Sequence, residues 1–186
     1  MRRSPASLHV TRRRALGIAA AAAAGAGFPK IVSAAHVLKP WPAAKPVPEL
    51  DLSDLDGKRW TLGAHVGQVV VLNFWATWCE PCRAEMPSLQ DMAARLKSQG
   101  LVVCAVNYKE PAPKIRDFLE RMPFQPKILL DADGDATTDW TPRVFPSSVL
   151  IGRDGRPVVT VVGELDWNGS VAKDLIAPLL AAPRKG

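Results

Sequence analysis

Cysteine and histidine are scarce in this chain, with three of each among 186 residues. So few cysteines exclude a disulfide-dense mini-protein. Cys79, Cys82 and Cys104, with His9, His36 and His65, also lack the second ligand pair that a zinc site usually needs. Acidic residues are absent from residues 1–34, which hold Arg2, Arg3, Arg12, Arg13, Arg14 and Lys30. These six account for the whole formal charge of +6, so the remainder is neutral and offers no basic face to nucleic acid. The uncharged run at residues 15–28 falls short of the ~20 residues of a membrane span and is mostly alanine. A composition 47% hydrophobic and 23% charged is globular and excludes long disorder or collagen.

What is present begins with a leader. Residues 1–35 read as an export signal peptide, with an arginine-rich start, a weakly apolar run and small residues at Ser33, Ala34 and Ala35 for cleavage after Ala34 or Ala35. The junction T-R-R-R-A-L-G (residues 11–17) resembles the twin-arginine signal S/T-R-R-x-F-L-K, with Ala15 and Gly17 off pattern. An ordinary Sec signal is the alternative, and the motif with the weak apolar run favours the twin-arginine type. Either signal implies export to the periplasm, where disulfides persist. The short alanine-rich run argues against an uncleaved membrane anchor. Pro40, Pro42, Pro46 and Pro48 then mark residues 36–49 as a Pro-rich linker of extended, polyproline-like chain. The alternative is a tail laid on the domain, which is expected over residues 50–183.

Within that domain the elements alternate. Short strands flank the turn Asp56-Gly57, and residues 69–74 form a continuous apolar strand suited to burial on both faces. Residues 82–98 carry an apolar helical stripe ended by Gly100. Strands follow at 101–106 and 127–130, with a helix at 112–121 between them and a brief helix or turn at 137–140. Strands 147–151 and 158–162 pair as a hairpin about Arg153-Asp154-Gly155-Arg156, and a helix at 171–180 is broken or kinked at Pro178. The order implies an α/β fold, a central mixed sheet with helices on both faces.

The chemistry lies in W-C-E-P-C (residues 78–82), where the strand at 69–74 runs into the following helix. A C-x-x-C at that junction is a redox motif. Cys79 at the helix start meets free N–H groups and the positive end of the helix dipole, which stabilise a thiolate. Cys82, one turn later, is placed to attack a disulfide formed at Cys79. Pro81 is tolerated in the first turn, and Trp75 and Trp78 are expected as an apolar rim beside the sulfur. An inert structural disulfide explains neither the tryptophans nor the placement. Cys104, in an apolar run, is expected to be an inert buried thiol. The D-A-D-G-D stretch at 131–135 lacks the glutamate a calcium loop needs at its twelfth position, where Pro142 stands, and reads as an acidic loop.

F-W-A-T-W-C-E-P-C-R-A-E-M-P (residues 74–87) resembles the TlpA/ResA-like branch of the thioredoxin superfamily. D-L-D-G-K-R-W-T-L-G-A-H-V-G-Q (residues 54–68) resembles that branch's N-terminal β-hairpin, and residues 108–131 resemble its inserted helix-strand unit. V-F-P-S-S-V-L-I (residues 144–151) resembles the segment bearing the family's cis-proline. The resemblance implies a thioredoxin-like fold, with Pro146 as that proline, Phe145 before it, and a backbone there that pairs with substrate beside the cysteines. It also implies that Glu85 tunes the thiols and shuttles protons, where thioredoxin itself uses an aspartate at the position of Asn73; a solvated helix carboxylate is the alternative. Trp78, Pro81, Phe145 and Pro146 are then the expected substrate-binding residues, and Cys79, Cys82 and Glu85 the catalytic ones. The implied activity is disulfide reduction on exported proteins, apocytochrome c among the clients, recharged by a membrane-bound thiol electron donor. No cofactor and no metal are implied. A disulfide-introducing oxidase and a non-enzymatic thioredoxin-fold binding or chaperone module are the other readings. A peroxide-reducing enzyme fits less well, because W-C-x-x-C differs from a single-thiol peroxidase loop.

Overall fold

The computed structural model describes residues 36–183; the expected export signal and cleavage site at residues 1–35 lie outside them. Eight strands form one mixed sheet in the order β1-β8-β7-β4-β5-β6-β2-β3. These are β1 (His36–Pro40), β2 (Asp51–Asp54), β3 (Arg59–Thr61), β4 (Val69–Trp75), β5 (Leu101–Tyr108), β6 (Lys127–Asp131), β7 (Ser147–Ile151) and β8 (Pro157–Gly163). The helices are α1 (Glu80–Leu96), α2 (Ala112–Arg121), α3 (Asp135–Trp140) and α4 (Ser170–Ala181). This is the expected thioredoxin-like fold: β4, β5 and β6 run parallel, and β7 runs antiparallel to β4. The hairpin β2–β3 docks on β6, and α2 with β6 forms the inserted unit.

Alternation along the central strands divides the core. Val69, Val71 and Trp75 of β4 pack with Met86, Leu89 and Met92 of α1, Ile115 and Phe118 of α2, and Ala172 and Ile176 of α4. Val70, Leu72 and Phe74 point to the other face, against Trp60, Leu62 and Trp140. Every residue of β4 is buried, as expected of a strand apolar at all positions but one. Asn73, the one polar residue of the strand, therefore faces α1.

Two expectations are corrected. Residues 36–49 are not a free polyproline spacer: β1 pairs along β8 from His36↔Gly163 to Pro40↔Val159. Beyond it Trp41 packs on Trp140 with ring centroids 5.6 Å apart, and Lys45 Nζ donates to the Asp139 carbonyl at 2.6 Å. Pro40 is compatible with pairing because it ends an edge strand. The break considered at Pro178 does not occur, since helix α4 continues through it to Ala181. The backbone bond lost at Pro178 is outweighed by the packing of Leu175, Ile176, Leu179 and Leu180 on the core.

Candidate active site

Strand β4 ends at Trp75, and residues 76–78 turn into α1, whose N-cap is Cys79. Its extended backbone (φ −85°, ψ 105°) lets Sγ accept from the Cys82 N–H at 3.3 Å, the role a serine or aspartate oxygen ordinarily fills. Cys79 and Cys82 are joined by a disulfide, with Sγ–Sγ 2.01 Å and Cα–Cα 5.3 Å. Cys79 is 5% exposed and Cys82 1%, so an incoming sulfur meets Cys79 first. Pro81 lies in the first turn of α1 and is exposed, as is Glu80.

The second loop closes beside them. The Phe145–Pro146 peptide is cis, and the Pro146 carbonyl accepts from the Gly163 N–H at 2.8 Å. Trp78, 60% exposed, meets Phe145 edge-on at 5.8 Å between centroids, and Tyr108 packs on Phe145 at 5.2 Å. These rings form an apolar ledge next to the cysteines. The other expected rim residue, Trp75, is instead fully buried beneath the loop, against Phe118 at 5.4 Å. It belongs to β4, whose side chains are all enclosed.

Glu85 is not a solvated helix residue. It is 2% exposed; Oε1 accepts from Asn73 Nδ2 at 2.7 Å and Oε2 from the Leu165 N–H at 3.0 Å. Asn73 Nδ2 also donates to Ser148 Oγ at 2.9 Å, which links α1, β4 and β7 beneath the disulfide. Burial pushes the Glu85 carboxyl up to about 7, against the pull of the Leu165 and Asn73 hydrogen bonds. The Trp167 indole N–H also favours the ionised form, yet makes no hydrogen bond of proper geometry. A buried carboxyl near neutrality, one helical turn from Cys82, can take or give a proton at working pH.

Sequence reasoning missed a second buried carboxylate. Glu110, just after β5, accepts from the Thr77 N–H and the Thr77 hydroxyl, each at 2.7 Å, and from Asn107 Nδ2 at 2.9 Å. Lys114 Nζ stands 2.7 Å away. Burial would raise its pKa, but Lys114, Thr77 and Asn107 together hold it below the ordinary carboxylate value. Glu110 thus clamps the loop that carries Cys79. The available signal was an acidic residue directly before Pro111, the N-cap of α2, but its partner Thr77 is distant in sequence. Cys104 is fully buried, and burial pushes its thiol up to about 12, which makes it unreactive. Asp131 of the acidic loop accepts from the Ala136 and Thr137 N–H groups and holds the start of α3.

The AhpC/TSA family pattern matches residues 43–158. The chain belongs to the AhpC/TSA family. Among curated relatives, thiol-disulfide oxidoreductase ResA of Bacillus subtilis is 34% identical over 118 residues, 63% of this chain and 66% of that protein. ResA of Bacillus thuringiensis is 30% identical over 120 residues, 64% of this chain and 69% of that protein. A Chlorobium tepidum structure described as a DsbE thiol:disulfide interchange protein superposes with a TM-score of 0.67 at 30% identity, over 72% of this chain and 94% of that one. With the dithiol pair at the head of α1, this AhpC/TSA member is a thiol–disulfide oxidoreductase of thioredoxin-like fold.

Proposed function

We propose that this protein reduces disulfides in exported protein clients in the periplasm, with Cys79 as attacking thiolate and Cys82 as resolving thiol. The observation that carries the reading is the asymmetry of the pair: Cys79 caps α1 at the more open edge, and Cys82 lies behind it. The Cys79 thiolate attacks one client sulfur. The client S–S bond breaks, and the second client sulfur leaves as a thiolate that takes a proton. Cys82, after losing its proton to Glu85, attacks Cys79 Sγ and displaces the first client sulfur. That sulfur leaves as a thiolate and takes the proton held by Glu85; two electrons have then passed to the client, and the Cys79–Cys82 disulfide remains. A membrane-bound thiol electron donor restores the dithiol.

A buried carboxyl near the pair disfavours the thiolates once it ionises. A reduced form less stabilised as thiolate is a better reductant, which favours reductase over disulfide-introducing oxidase. The Trp78–Phe145 ledge and the Phe145–Pro146 loop supply the surface for an extended client segment, and apocytochrome c is one client class that fits a periplasmic dithiol reductase. Among the described residues no helix is long and apolar enough to cross a membrane; export rests on the leader at residues 1–35.

Trapping variants test the roles. Cys82→Ser should accumulate mixed disulfides through Cys79, seen as adducts on non-reducing gels, and Cys79→Ser should abolish reductase activity. Adducts formed through Cys82 in the Cys79 variant would reverse the assignment. A measured potential in the oxidant range would replace reductase with oxidase.

A further inference from the structure

A recess of about 330 Å³, lined by Thr77, Arg83, Lys114, Phe118, Arg121 and Met122, opens between α2 and the segment that carries the two cysteines. Thr77 belongs to the turn before Cys79, and the Arg83 N–H donates to the Cys79 carbonyl at 3.2 Å. The sheet order fixes its direction. Strand β4 lies between β7, which follows Pro146, and β5, which leads into α2. The recess therefore flanks Cys79 from the α2 side and the Phe145–Pro146 loop from the β7 side.

Its charge is unbalanced. Of the three cations, Lys114 is matched by Glu110 at 2.7 Å. Arg83 and Arg121 form no ion pair among the described residues, although Glu80 on the first turn of α1 and Asp117 one turn before Arg121 are near in sequence. Phe118, packed on Trp75, and the half-buried Met122 supply an apolar floor. Two guanidiniums without carboxylates over such a floor suit a carboxylate, which each guanidinium can bind through paired N–H donors.

We propose that this recess binds an acidic side chain of the client polypeptide, a few residues from the cysteine that Cys79 attacks. The proposal rests on the reductase reading above and adds a substrate preference to it. A client segment lying along the Phe145–Pro146 loop and crossing Cys79 reaches the recess with its next residues, so one acidic side chain there fixes the register of attack.

The test uses the reduced full-length protein and three synthetic disulfide peptides that differ only at one position flanking the cysteine, Glu, Gln or Lys. The Glu peptide should be reduced about tenfold faster in kcat/KM than the Gln peptide, the scale of one charge-assisted hydrogen bond, and the Lys peptide slowest. Raising the salt concentration should narrow the ratio. In the double variant Arg83→Gln/Arg121→Gln the Glu-to-Gln ratio should fall to about one, whereas Arg83→Lys/Arg121→Lys should keep part of it. Equal rates for Glu and Gln peptides in the unaltered protein would overturn the subsite alone. So would a ratio that survives in the double variant, which would move recognition to other cations. If no peptide is reduced although the Cys79–Cys82 disulfide forms and is cleaved by a small thiol, the reductase reading fails and the subsite falls with it.

Discussion

Glu85 shows how one residue's surroundings decide its chemistry. Its carboxyl keeps its proton up to about 7 in the fold but releases it near 4.5 in the unfolded chain. Between those values the folded state binds more protons, so stability must fall as pH rises, and the loss is complete above 7. The shift corresponds to a loss on the order of 3 kcal/mol. Urea unfolding of the oxidised protein, in which neither Cys79 nor Cys82 titrates, should show this decline, and Glu85→Gln should flatten it. In the reduced protein the same variant should lower the apparent pKa of Cys79 alkylation, because a neighbouring negative charge is gone. Superimposable alkylation curves would leave Glu85 a structural role only. The cysteines and the cis-proline were legible because local chemistry marks them: a C-x-x-C between strand and helix, and a Phe-Pro ahead of a strand. The burial of Glu85 was not, because its enclosure comes from Asn73, Leu165 and Trp167, which the chain brings in from other elements.

Elements show the same division. The strand β4, the hairpin β2–β3, the inserted α2–β6 unit and the closing hairpin β7–β8 follow from apolar runs and turn residues. What ties these elements together is carried by side chains that a one-dimensional pattern does not reveal. Arg153, read as a turn residue, is buried and donates to the carbonyls of Gly67, Gln99 and Leu180, joining three chain segments. Glu110 joins β5 and α2 to the cysteine-bearing turn in the same way. Glu110→Gln keeps the volume but loses one acceptor oxygen, so at least one Thr77 or Asn107 donor is left without its partner. A cost of about 1–3 kcal/mol is expected, with faster amide exchange at Thr77 and Cys79 than in the core strands. Exchange unchanged in that turn would show that α1 alone holds it. The carboxylate's contribution is present above its unfolded value and is lost as acid protonates it, opposite in sign to that of Glu85.

At the scale of the whole molecule, charge is segregated: six unopposed basic residues sit in residues 1–34, and the remainder is balanced. If the leader is read by the twin-arginine receptor, replacing Arg12 and Arg13 together with Lys should block export although the charge is kept. A Sec signal would tolerate the change, and fractionation of cells expressing the double variant distinguishes the two. The one large misreading at this scale, the Pro-rich stretch as a spacer, arose because four prolines argue against sheet, while the partner that makes β1 a strand lies at the far end of the domain. That pairing bears on assembly. His36 meets Gly163 only after nearly all of the domain has been synthesised, so the first strand waits for almost the last, a long-range closure of the kind that slows folding. Until β1 arrives, β8 is an open rim on which a second chain can add a strand. Once in place, β1 covers it with exposed Lys39 and a terminal Pro40, two residues that discourage further strand addition. Residues 36–40 thus act as a guard against self-association, and their removal would re-expose β8 to strand addition.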